Sequence, residues 1–148
     1  MMPPLNLPAY PFRLVKKDGS VRIFDEIRKK FVVLEPEEWV RQHVVQALLA
    51  MGYPRGLIRL EGGHLFNKRQ KRTDIVVYDR QANPFLLVEC KAPGIPVNQQ
   101  VFAQAVHYNR VVQASRLALT NGLVHWWAEL APDGPQWYEG GFPPYPAD

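Results

Sequence analysis

Apolar and polar positions along this chain follow two periods in turn, and the alternation predicts an α/β domain. Behind Pro36, a residue suited to a first helical turn, Val40, Val44, Ala47, Leu48 and Met51 recur at helical spacing until Gly52 ends the run. Three short apolar stretches come next, at residues 57–61, 73–79 and 84–91. The last two are joined by Arg80-Gln81-Ala82-Asn83, so the pattern predicts an antiparallel meander. Past Pro93, Gly94 and Pro96, Asn98 caps a second helix expected to reach about Gln113, with Val97, Val101, Ala105 and Val112 on its buried side. Residues 116–120 and 123–128 flank Asn121-Gly122, a hairpin turn signal, and residues 12–16 and 21–24 flank Lys17-Asp18-Gly19-Ser20, which predicts a leading hairpin. The order is helix, three strands, helix, strand, with an extra strand at each end. The second helix offers a crossover between the third and fourth strands.

With 148 residues, 47% of them hydrophobic, the chain suits one domain with its own core. No repeat or long linker divides it, and Pro gathers in residues 3–11 and 135–146. The expected organisation is an N-terminal hairpin extension over residues 1–34, a core over 35–129 and a Pro-rich tail over 130–148. No apolar run approaches membrane-spanning length, and the opening Met1-Met2-Pro3-Pro4-Leu5-Asn6 lacks the regions of a signal peptide, so a cytoplasmic protein with no membrane partner is expected. The single Cys90 excludes an internal disulfide or a Cys-based zinc cluster and reads as a small core residue.

Charge changes the picture further. Residues 1–116 hold all 18 Lys and Arg against 10 acids, while residues 117–148 hold 4 acids and no base. A basic body with an acidic end tilts the expectation toward a polyanionic partner.

The stretch Phe85-Leu86-Leu87-Val88-Glu89-Cys90-Lys91 runs an apolar strand directly into a carboxylate and an ammonium, a costly arrangement unless something pairs them. Glu89 and Lys91 share a face about 6.6 Å apart and Cys90 points to the other. In a meander Asp74, near the start of one strand, lies close to Glu89 near the end of the next. Two carboxylates and the Cys90 backbone carbonyl are hard oxygen donors of the kind preferred by Mg2+ or Mn2+, and Lys91 could hold a water and balance charge on a phosphate. The run Lys68-Arg69-Gln70-Lys71-Arg72 brings further positive charge ahead of Asp74, with Lys71 and Arg72 nearest. Read blandly, Glu-x-Lys is a solvated strand end and the basic run a solvated loop. His43, His64, His107 and His125 show no metal-ligand spacing.

The element order and these residues together resemble the PD-(D/E)xK nuclease superfamily. Its core is helix, three strands, helix, strand; Thr73-Asp74 stands for its Pro-Asp and Glu89-Cys90-Lys91 for its (D/E)xK. More specifically, Pro36-Glu37-Glu38-Trp39-Val40-Arg41-Gln42-His43, Arg72-Thr73-Asp74-Ile75-Val76-Val77-Tyr78, Val88-Glu89-Cys90-Lys91-Ala92-Pro93 and Leu119-Thr120-Asn121-Gly122-Leu123 look like the N-terminal nuclease domain of type I restriction enzyme R subunits, in a small standalone form. The resemblance implies a restriction-endonuclease-like mixed sheet flanked by helices. It implies an acid from helix one, Glu38 or alternatively Glu37, directed toward the metal, although both acids also suit the helix dipole. Gln104 and Tyr108 are expected on one stripe with Val97, Val101 and Val111, and their Gln-x-x-x-Tyr spacing is similar to a motif that places DNA in RecB-like nucleases. The bland reading is a Gln bonded to a strand end and an ordinary core Tyr.

The sequence thus points to a Mg2+- or Mn2+-dependent deoxyribonuclease. In it Asp74 and Glu89 bind metal, Lys91 assists the attacking water, and Gln104 and Tyr108 position substrate. A catalytically silent nucleic-acid-binding accessory module of the same fold is the alternative, and a purely structural protein a third. No Gly-x-x-x-x-Gly-Lys-Ser/Thr phosphate loop occurs, so restriction would need other subunits, and cutting both strands would favour a homodimer.

Overall fold

The computed structural model describes residues 2–60, 65–66, 70–71 and 74–147, and at 65–66, 70–71 and 74 the backbone alone. Three strands, β1 (Leu14–Lys17), β2 (Ser20–Asp25) and β3 (Lys30–Val33), form an antiparallel meander in place of the two-stranded hairpin expected. The turn into β3 carries no Gly or Asn. It is built by Asp25, whose buried carboxylate accepts from the Ile27 and Arg28 amides (both 2.9 Å) and from Arg28 Nε (2.7 Å).

Helix α1 (Pro36–Ala50) starts with Pro in its first turn, and Gly52, at φ +94°, follows its C-cap. A single 3₁₀ turn (Arg55–Leu57) takes in Leu57 and leads to β4 (Ile58–Leu60), within the 57–61 expected; Glu61 lies outside the described residues. Two short strands, β5 (Leu65–Phe66) and β6 (Gln70–Lys71), pair with each other, a feature the apolar pattern does not signal. Strand β7 (Asp74–Tyr78) and strand β8 (Pro84–Cys90) are antiparallel neighbours, as expected. Helix α2 (Gln99–Val112) opens with the Asn98 side chain accepting from the Val101 amide at 3.1 Å. Strand β9 (Arg116–Thr120) pairs parallel with β8, so α2 is the crossover anticipated.

Strand β10 (His125–Ala131) returns antiparallel to β9. Strand β11 (Gly134–Glu139) occupies a segment read from sequence as tail: it pairs with β10 through the tight Pro132-Asp133 turn. The six strands stand in the order β11-β10-β9-β8-β7-β4, a mixed sheet.

The two faces of that sheet carry separate cores. One contains Val40, Val44 and Leu48 of α1 with Ile58, Ile75, Leu86, Val88 and Cys90. The other contains Val101 and Ala105 of α2 with Val76, Leu87, Leu117 and Leu119. Period-two alternation sends Leu86, Val88 and Cys90 to the α1 side and Leu87 to the α2 side. Cys90 is a buried core residue, as its apolar neighbours suggested. Pro-rich residues beyond β11 dock on the body: the Tyr53 hydroxyl donates to the Pro143 carbonyl (2.6 Å), the Tyr145 hydroxyl to that of Tyr78 (2.9 Å), and Phe142 is buried. Burial pushes the Tyr53 phenol well above its ordinary pKa. Among the described residues no helix is long and apolar enough to cross a membrane.

Candidate active site

The antiparallel register sets Asp74, the first residue of β7, directly opposite Glu89, the penultimate residue of β8. Such partners have Cα atoms roughly 4.5–5.5 Å apart. Glu89 is 3% exposed and, by alternation from Leu87, belongs to the α2 side of the sheet. An ionisable group buried this deeply at a strand end needs partners.

Lys91 lies one residue past the end of β8, which stops at Cys90, and is half-buried. Its backbone amide donates to the Thr120 carbonyl at 2.9 Å, tying the Glu-x-Lys end to the last residue of β9. The turn after β9 supports the same place from the other side. Asn121 accepts from the Leu123 and Val124 amides (both 2.9 Å) and donates through Nδ2 to the Ile95 carbonyl (2.9 Å), in the loop that follows Lys91. The buried Thr120 hydroxyl accepts from the Gly122 amide and lies 2.6 Å from Nδ1 of His125, whose Nε2 donates to the Asn6 carbonyl at 2.8 Å. Sequence reasoning took Asn121-Gly122 for a two-residue hairpin turn; it is a four-residue loop that braces the Lys91 loop and the N-terminal segment together.

Glu38 stands apart from this end of the sheet in its bonding. Its Oε1 and Oε2 receive Nη2 (2.6 Å) and Nε (3.0 Å) of Arg41, Oε2 also receives Nε2 of Gln42 (2.7 Å), and Arg28 lies 3.8 Å away. No described contact links it to Glu89 or Lys91.

Helix α2 departs from the expected stripe. At about 100° per residue its buried side is Val101, Ala105 and Asn109, whereas Gln104 is exposed, Tyr108 half-buried and Val111 66% exposed. The arc drawn from the sequence was too wide: it took in positions 104 and 111 on the solvent edge and left out Asn109, which exchanges two 3.0 Å hydrogen bonds with the Ala114 backbone. Lys71 falls in β6, described by backbone only; Arg72, Thr73, Lys68 and Arg69 lie outside the described residues.

The donor set suits a hard divalent cation: a buried carboxylate at position 89, a second acid opposite it in register and a backbone carbonyl next to it, with no thiolate or imidazole among them. Among the described residues, no group of three or more His, Cys, Asp and Glu side chains is placed to hold a metal ion, at this end of the sheet or elsewhere.

Residues 36–139 match the family model described as the type I restriction enzyme R protein N terminus. The matched span starts at the first residue of α1 and ends at the last of β11, leaving the N-terminal meander and the docked tail outside it. No curated protein matches the chain, and no solved structure does.

Proposed function

The chain belongs to the family of type I restriction enzyme R protein N-terminal domains, and on that premise we propose that it is a Mg2+- or Mn2+-dependent nuclease hydrolysing DNA phosphodiester bonds. The observation that carries the proposal is the Asp74–Glu89 register pair with Lys91 two residues beyond Glu89. Asp74, Glu89 and the Cys90 carbonyl would hold the ion. When bound, a divalent cation polarises a phosphodiester and makes water more acidic.

The chain's own residues supply the rest. Glu89, buried, offers a fixed carboxylate whose orientation does not have to be organised when substrate arrives. Lys91 is aimed by a backbone pinned to Thr120, so its ammonium can orient water and offset charge that develops on the phosphate. Asn121 limits how far the loop carrying Lys91 can move by holding Ile95. Gln104, exposed, and Tyr108, half-buried, lie one turn apart on α2 and would contact the DNA backbone.

Incubating the purified protein with single-stranded, duplex and branched DNA, with and without Mg2+ or Mn2+, tests the proposal beside a Lys91→Ala control. Cation-dependent cleavage that the control lacks supports it. Binding without cleavage under any of these conditions would instead make the chain a non-catalytic accessory module.

A further inference from the structure

On the flank of α2 away from Gln104, a groove of about 420 Å³ opens between that helix and β11, lined by Gln99, Phe102, Val106, His107, Arg110 and Trp137 among others. Its floor is aromatic. Phe102 and Trp137 stack with centroids 4.6 Å apart at 20°, and Trp126 meets Phe102 edge-on at 5.8 Å. Along the helix its rim is polar without an acid, the 14 residues of α2 containing no Asp or Glu while Arg110 and His107 are exposed; on the strand side Glu139 pairs with Trp126.

The sheet registers place this cluster in line with the candidate active site. Glu89 pairs with Leu119, and Leu119 pairs with Trp126, so Glu89 and Trp126 occupy one row across the sheet, two strands apart. Two strand spacings are about 10 Å. Both residues belong to the α2 side, since Trp126 touches Phe102 and Glu89 alternates with Leu87. Gln99, the first residue of α2, is where the groove meets the loop descending from Lys91.

We propose that this groove is a base-stacking site for an unpaired nucleic-acid strand whose neighbouring phosphate lies at Glu89 and Lys91. Aromatic faces beside a guanidinium and an imidazole, with no acid on the helix, match a base and its phosphate, because every base offers a π-face and every linkage a negative charge. A duplex keeps its bases stacked inward, so the groove selects single-stranded DNA or a frayed end. The proposal takes its direction from the nuclease reading, but binding here requires no cation.

The test is fluorescence anisotropy in EDTA with a labelled oligothymidine of roughly 15 nucleotides and with a duplex of equal length. The single strand is expected to bind tighter, and Trp137→Leu and Phe102→Leu to weaken it about tenfold. Arg110→Ala is expected to reduce the salt slope by about 0.7. Tyr138→Leu, on the opposite face, should bind as wild type does. Should the aromatic variants unfold, Arg110→Ala and His107→Ala decide the matter, since both residues are exposed. Unchanged affinity and salt slope in them, or equal binding of duplex and single strand by the wild type, overturns the site. Tight single-strand binding by a protein that cleaves nothing with Mg2+ or Mn2+ would end the nuclease reading and leave the groove standing. Cleavage that is indifferent to every groove variant would do the reverse.

Discussion

Glu38 grips the guanidinium of Arg41 through both carboxylate oxygens, and Arg41 is only 2% exposed. The carboxylate is therefore already neutralised by a buried cation, with Gln42 on the same oxygen as Arg41 Nε. Buried bidentate pairs contribute chiefly through what happens when one partner is removed. Glu38→Gln leaves the guanidinium without its counter-charge, and a loss of about 3–5 kcal/mol in urea unfolding is expected. Combining Glu38→Gln with Arg41→Met should recover much of it. A Glu38→Gln protein as stable as wild type yet unable to cleave would show instead that this acid serves the metal, the role its family resemblance suggested.

Glu89 and Lys91 separate binding from chemistry. Glu89→Gln keeps the size and hydrogen-bonding capacity of the side chain but removes the charge a hard cation needs. Calorimetric titration of Mn2+ is expected to lose its heat in Glu89→Gln and in Asp74→Ala, and to keep it in Lys91→Ala. Cleavage should fall at least about a hundredfold in all three. Metal heat that survives both carboxylate changes would place the ion elsewhere.

Gly122 is required twice over. Its φ of +87° is a conformation that L side chains rarely adopt, and an added Cβ would sit 2.8 Å from Leu5 Cδ2 and 3.1 Å from Val40 Cγ2. Gly122→Ala should therefore destabilise the fold by about 1–3 kcal/mol. Because Gly122 also binds the Asn6 amide through its carbonyl, proteolysis near the N-terminus should quicken in the variant. Equal unfolding midpoints for variant and wild type would mean that neither the left-handed backbone nor the close approach of Leu5 and Val40 constrains this position.

The helices and the parallel β8–β9 pair were legible because local signals agree there: Pro36 and Gly52 bracket α1, Asn98 caps α2, and apolar periodicity fills the space between. The Asp74–Glu89 juxtaposition was legible for the same reason, since a short turn between two strands fixes which ends meet. Strand β3 was hidden because its turn depends on the carboxylate of Asp25 and on Lys29 at φ +57°, neither a conventional turn signature. Strand β11 was masked by Pro132 and Pro135, although Asp133-Gly134 carried the hairpin signal. The bracing of Lys91 by Asn121, and of Thr120 through His125 to Asn6, joins residues up to 119 positions apart. No local pattern encodes contacts of that separation.

His43 links stability to pH. It packs at the middle of α1 between Trp39 (4.4 Å) and Phe12 (4.7 Å), and its Nδ1–H donates to the Trp39 carbonyl at 2.8 Å. Burial lowers its pKa below the ordinary 6.5, and the Trp39 hydrogen bond only partly opposes that shift. Between the folded value and 6.5 the unfolded chain binds more protons than the native one, so stability rises with pH there. The contribution is complete above 6.5 and is lost as pH falls toward the folded value. Thermal midpoints recorded between about pH 7.5 and 5.5 should decline on the acid side for the wild type, and less steeply for His43→Phe, which keeps the ring contacts without the titration. Parallel profiles for the two proteins would show that the imidazole titrates alike in the folded and unfolded chains, and that the pocket formed by Phe12 and Trp39 admits enough water to solvate its charge.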